Sequence, residues 1–217
     1  MKAIGIFVLK LAAFALVYLG WQVTADWRFS PGAGAAVMWG AIALMPVVAG
    51  AARWLLDRKP TPERAAWLIV PVHCLELLLL GCALIAALPL VQAHPWVRVW
   101  FPTPLSLFLM EVFGIVAFLV VVNLAVRGLG LPFAAVLSRK LATDWLYKRC
   151  RNPMGLMTLL FFLATALWLR SLHAAVWVLC WVAPGWISFV RIFEERELEI
   201  RFEAPYRAYK ARTPFFL

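Results

Sequence analysis

Charge is scarce in this chain, and negative charge scarcer still. Of 217 residues 15% are charged, and 11 are Asp or Glu against 21 Lys or Arg. Soluble domains carry roughly 25% charged residues, so the shortage alone excludes a water-facing globule. Cysteine and histidine are thin as well: four Cys without a CxxC pair and three His without ligand spacing. That leaves no pattern for a zinc ribbon, a Cys/His metal site or a disulfide framework. A glycine-rich phosphate loop is missing too, because Gly128-Leu129-Gly130 follows no strand and reads as helix termination. The net charge of +10 does not imply nucleic acid, since the basic residues are scattered between long apolar runs. Membrane topology and anionic headgroups account for it better.

What the chain has in abundance is hydrocarbon: 65% of residues are hydrophobic and the mean hydropathy is +0.86. The expected fold class is all-α, a polytopic membrane bundle of about six transmembrane helices with a C-terminal amphipathic cytoplasmic helix. The spans are Ile4–Val23, Ala33–Leu56, Ala65–Gln92, Leu105–Val126, Met154–Leu169 and Ala174–Phe193. Each of the first four exceeds or approaches the ~20 residues that cross a bilayer. The first resembles a signal peptide, but its apolar run is long and five spans follow, so it reads as retained. Gly and Ala in the second favour close helix approach, and Thr61 before Pro62 reads as the cap of the third. His94 to Pro104, with Trp96, Trp100 and Phe101, suits an interfacial aromatic belt, and His173 suits the same outer face. All 21 basic residues except Lys10, Arg28, Arg98 and Arg170 then fall on one side. By the positive-inside rule both termini are cytoplasmic, as in a multi-pass protein of a bacterial inner membrane.

Chemistry concentrates in two polar stretches. In Tyr147-Lys-Arg-Cys-Arg-Asn-Pro-Met154, the cations Lys148, Arg149 and Arg151 must lie at a membrane surface. Pro153 lacks an N–H and biases Asn152 away from helical geometry, so a helix starts there with free N–H groups that favour an anionic ligand group. A plain basic loop fits equally well. Cys150, between two arginines, has surroundings that favour its thiolate, with no visible His or Asn to assist it. In the second stretch Glu194 and Glu195 leave the sixth span, and adjacent residues point about 100° apart. One carboxylate can face the bundle and favour an ammonium or a sulfonium. A solvated face with Arg191–Glu195 and Glu197–Arg201 pairs is the competing reading. Within the spans, His73 and Glu76 share a face of the third and Glu111 lies on the fourth. Such charges face a partner or cavity, to shape an acceptor site or relay protons.

Taken together, the 147–154 run, the two-span hairpin, Glu194-Glu195-Arg-Glu-Leu198 and Phe202-Glu-Ala-Pro-Tyr206-Arg-Ala-Tyr209 through Pro214 resemble the isoprenylcysteine carboxyl methyltransferase family. Membrane phospholipid N-methyltransferases share the pattern. The resemblance covers roughly residues 145–214 and divides the chain into residues 1–144, an N-terminal region of four spans on the acceptor side, and a methyltransferase-like region, residues 145–217. It implies an S-adenosylmethionine-dependent enzyme whose cofactor lies at the cytoplasmic surface. Arg151, Asn152, Pro153 and Met154 would line the pocket from one side, and Glu194 and Glu195 would close it from the other. Glu111, Tyr147 and Arg191 are the candidates for the acceptor, a lipid-like or small apolar carboxylate, thiol or amine. Tyr206 and Tyr209 would fold the tail back. The chain departs from the family pattern at four positions: Gly155 and Met157 stand where it has tyrosine and then glycine, and Trp145 and Glu203 stand where it has glycine. A sterol-type membrane reductase, a transporter using His73, Glu76 and Glu111, and a catalytically silent relative are the alternatives.

Overall fold

The computed structural model describes residues 2–26, 30–93, 98–128, 130 and 138–216. His94, Trp96 and the helix stop at Pro132 lie outside them. Among the described residues every regular element is helical, apart from an isolated antiparallel bridge between Arg98 and Ser171. The helices are α1 (Lys2–Asp26), α2 (Pro31–Asp57), α3 (Pro62–Ala93), α4 (Thr103–Asn123), α5 (Pro153–Trp168), α6 (Leu172–Trp177), α7 (Ala183–Phe189) and α8 (Glu195–Arg212). Wide π-helical turns continue α4 over Leu124–Gly128 and join α6 to α7 and α7 to α8.

Local sequence sets the starts. Ser30 Oγ accepts from Ala33 N ahead of Pro31, and Thr61 Oγ1 accepts from Arg64 N ahead of Pro62. Asn152 Oδ1 accepts from Gly155 N ahead of Pro153. Each is a polar cap followed by proline at the first helical position, where the missing N–H is no loss. Four runs are long and apolar enough to cross a bilayer: Pro31–Asp57, Pro62–Val91, Thr103–Gly128 and Leu172–Arg212. The sixth span therefore does not stop at Phe193; one helical run of 41 residues continues to Arg212. α5, with 16 residues, is about 24 Å long against a hydrocarbon core of about 30 Å. This is an integral-membrane helical protein. α4 and its continuation expose Phe108, Ile115, Phe118 and Val126, and withdrawing such side chains from water is worth roughly 1.5–3 kcal/mol each. A face of this kind is stable against acyl chains.

The described chain forms two compact units, one of α1–α3 with Pro184–Arg201 and one of α4, α5 and residues 138–183 and 202–216. In the first unit α2 turns Ala41, Ile42, Met45, Ala49, Ala52 and Leu56 inward. Of the glycines of α2, Gly34 is buried, while Gly32, Gly40 and Gly50 face open space. The close approach is made by Gly185, where a Cβ would sit 2.6 Å from Ile42 Cγ2 and 3.3 Å from its carbonyl oxygen. In the second unit α5 packs on α4 and turns sharply into α6. There Ser171 N donates to Ala166 O (3.1 Å) and Arg170 N to Leu167 O (3.0 Å), with Arg170 left-handed at φ 54°. That is the Schellman closure of a helix C-terminus, with arginine at a position where glycine is usual.

Candidate functional site

The first unit carries a buried polar cluster inside the bilayer-crossing helices. His73 Nδ1 donates to Ile69 O at 3.0 Å, so the ring's other nitrogen, 3.5 Å from Glu194 Oε1, can donate to that carboxylate only when doubly protonated. The contact places one carboxylate oxygen of the last long helix against a histidine of α3. Phe189 and Phe193 flank the ring at 5.9 and 6.3 Å between centroids. Glu76, 3% exposed, accepts from Trp186. Glu197 is fully buried; its Oε1 accepts from Arg201 Nη1 at 2.8 Å, while Oε2 has no partner. Glu195 is 6% exposed, whereas the Glu194 side chain is 31% exposed. The adjacent carboxylates do differ in exposure, and the more exposed one reaches the histidine. Around them Asp57 accepts from Arg196 at 2.7 Å and from Arg53 at 3.4 Å, which ties the end of α2 to the start of α8.

Sequence reasoning missed Glu197. Glu197 figured there only in the competing reading, as one of a solvated pair with Arg201, yet neither side chain faces water freely. Spacing gave no signal, since Glu195 and Glu197 both turn inward although they stand only two residues apart. The inward set of this helix is Phe193, Glu195, Glu197 and Ile200, with Leu198 only half-buried.

The second unit carries the basic run. Asn152 caps α5, so its Oδ1 is engaged and its amide nitrogen is the group it can offer a ligand. Pro153 is buried, and Met154 is half-buried. Arg151 points its Nη1 at Thr213 O (2.6 Å) and Lys210 O (3.0 Å), and its backbone N–H donates to Pro214 O (2.9 Å). An arginine so placed caps the last carbonyls of α8 and meets the negative end of the helix dipole. Tyr209 Oη donates to Tyr147 O at 2.6 Å, and Tyr206 and Tyr209 are buried. Within this unit the tail does fold back onto the 147–152 run. Cys150 Sγ donates to Phe215 O at 3.3 Å. Burial pushes its thiol pKa up, and this outweighs Arg151 and a backbone hydrogen bond, which act the other way. The arginines therefore do not make it a thiolate. Of the acceptor candidates, Glu111 is exposed on α4, Tyr147 is half-buried, and Arg191 is exposed in the turn before α8.

Two of the family's glycine positions have a structural counterpart. Trp145 holds φ 52°, and Glu203 holds φ 45° with ψ −122° inside α8. Left-handed backbone costs roughly 1–2 kcal/mol for a residue with a Cβ, which is why glycine suits both positions. Among the described residues no group of three or more His, Cys, Asp or Glu is placed to hold a metal ion.

A helical membrane protein with acidic and basic polar clusters is the class these features define. The model of the phospholipid methyltransferase family matches residues 97–204, and this C-terminal portion of the chain belongs to that family, within the isoprenylcysteine methyltransferase-like superfamily. The match begins upstream of the likeness seen in the sequence, taking in α4, and ends before Tyr206. It contains the 147–154 run and Glu194-Glu195, and leaves out His73 and Glu76. No curated protein and no solved structure matches the chain.

Proposed function

We propose that this membrane protein of a methyltransferase family uses S-adenosylmethionine and delivers the methyl group to a lipid-like or small apolar acceptor. The observation that carries the reading is the family match over residues 97–204, which contains both the Arg151–Met154 run and the Glu194-Glu195 pair. Bound S-adenosylmethionine supplies an electrophilic methyl group, so the protein need only position the acceptor and keep water out. Each unit by itself carries groups suited to part of such a ligand. The first unit offers several carboxylates, one of them with an orphaned buried oxygen, to a cationic group. The second offers the Asn152 amide beside the first turn of α5. On the family likeness, Glu194 and Glu195 are assigned to the cationic part of the cofactor and Asn152, Pro153 and Met154 to the run that meets it, with Arg151 fixing that run by capping α8. Glu111, Tyr147 and Arg191 serve the acceptor, and both termini lie in the cytoplasm.

Calorimetric titration of the purified protein in detergent with S-adenosylmethionine, and separately with a reduced nicotinamide cofactor, tests this. Saturable binding of the first alone is expected. Glu194→Gln and Asn152→Asp should each weaken it; the second keeps an N-cap acceptor, so loss of binding there is not loss of the helix start. Unchanged binding in both variants would overturn the site assignment, and preference for the nicotinamide would replace the reading with a reductase.

A further inference from the structure

At the C-terminal end of α4 lies a groove that the methyl-transfer reading does not use. Leu119, Val122 and Val126 form its apolar wall, and Asn123, Arg127 and Trp145 complete it around a volume of about 230 Å³. All six residues belong to one unit. Positions 119, 122, 123 and 126 recur at helical spacing and make one stripe. Leu119, Val122 and Val126 are exposed on a helix long and apolar enough to span a bilayer, so the groove opens towards lipid.

Its far end is basic. Arg127 is exposed, with Nε 3.3 Å from Asp144 Oδ2. The backbone N–H groups of Arg139 and Lys140 both donate to Gly128 O at 3.0 Å, which anchors two more exposed basic residues at the same helix end. Three cations thus stand against the single carboxylate of Asp144. Asn123 Nδ2 donates to that carboxylate at 3.4 Å, while its Oδ1 is buried with no partner. An apolar trough ending in surplus positive charge and an exposed tryptophan has the polarity profile of a lipid molecule at a membrane surface.

We propose that this groove docks an anionic phospholipid, with its acyl chain along Leu119, Val122 and Val126 and its phosphate against Arg127. The lipid here is a bound ligand, and its docking does not depend on the methyl-transfer reading.

Native mass spectrometry of the intact protein from mixed micelles, without any cofactor, measures retained phosphatidylglycerol against phosphatidylcholine. The wild type should retain phosphatidylglycerol preferentially. Arg127→Gln should cut that retention about fivefold, the worth of one basic side chain near an anionic surface. Asp144→Asn should raise it, because the competing carboxylate is gone; a gain cannot come from misfolding. Val122→Trp fills the trough with the charges intact and should abolish the preference. Equal retention of the two lipids by the wild type, or a preference that survives Val122→Trp, overturns the proposal. So does a dimer that Val122→Trp dissociates, since the groove then belongs to a second copy of the chain.

Discussion

The Tyr209 hydroxyl donates to the carbonyl of Tyr147 at 2.6 Å, which fastens the last helix to the run that precedes α5. Tyr209 is buried and Tyr147 half-buried, so the bond is partly shielded from water. Tyr209→Phe keeps the ring and removes the bond, and leaves a carbonyl short of a donor. A loss of about 1–2 kcal/mol is expected, read as a lower thermal midpoint in detergent. An unchanged midpoint would show that the tail is held by packing alone.

Glu203 offers a test of opposite sign. Its φ of 45° and ψ of −122° put a side-chain-bearing residue where glycine is at ease. Glu203→Gly should raise stability by about 1 kcal/mol, the relief of left-handed strain less the entropy that glycine loses. Glu203→Val, branched at Cβ, should lower it. Thermal melts of the two variants moving in the same direction would refute the strain.

Arg201 and Glu197 form a buried pair whose two singles and double should not add. Removing the cation alone leaves a carboxylate fully out of water, and breaking such pairs costs roughly 3–5 kcal/mol. Arg201→Ala is therefore expected to be the most damaging of these changes. Combining it with Glu197→Gln, which takes away the stranded charge, should recover most of the loss, as measured by denaturant or thermal unfolding of all three variants.

Cys150 should be a poor nucleophile despite two arginine neighbours. Its raised pKa means that the unfolded chain gives up the thiol proton at a lower pH than the folded one. Stability from this group is thus complete in neutral solution and declines as the pH climbs past the ordinary thiol range. Iodoacetamide labelling of Cys150 at pH 8, read at its own peptide because Cys180 is exposed, should be slow until the protein unfolds. Cys150→Ser should flatten the alkaline decline, and rapid labelling of the folded protein would contradict the burial argument.

Much of the fold was legible because its cause is local. Apolar runs of the needed length mark α2, α3, α4 and the start of the last long helix, and Thr61, Asn152 and their following prolines mark helix starts by a mechanism confined to four residues. The site was legible in its parts and less so in its partners. Arg151 stands out as a cation at a membrane surface, yet its target is a pair of carbonyls some sixty residues away, which no spacing rule announces. Glu197 entered only as a possible surface charge, because its i,i+4 arginine suffices to explain it in water. Only packing reveals that Phe193, Glu195 and Ile200 go inward with it. The strain at Trp145 and Glu203 was half visible, as glycines missing from a pattern, before the backbone angles supplied the reason.

The wide turn at Val190–Glu194 fits one more residue into its loop than ordinary winding would hold. Each residue advances a helix by about 100°, so that single insertion acts like a phase shifter for everything after it. Trim one residue from the loop and the acidic run would swing away from His73 by more than a quarter of a revolution, with composition and hydropathy hardly altered. Chain length at this point is thus as much a determinant of the site as any side chain in it.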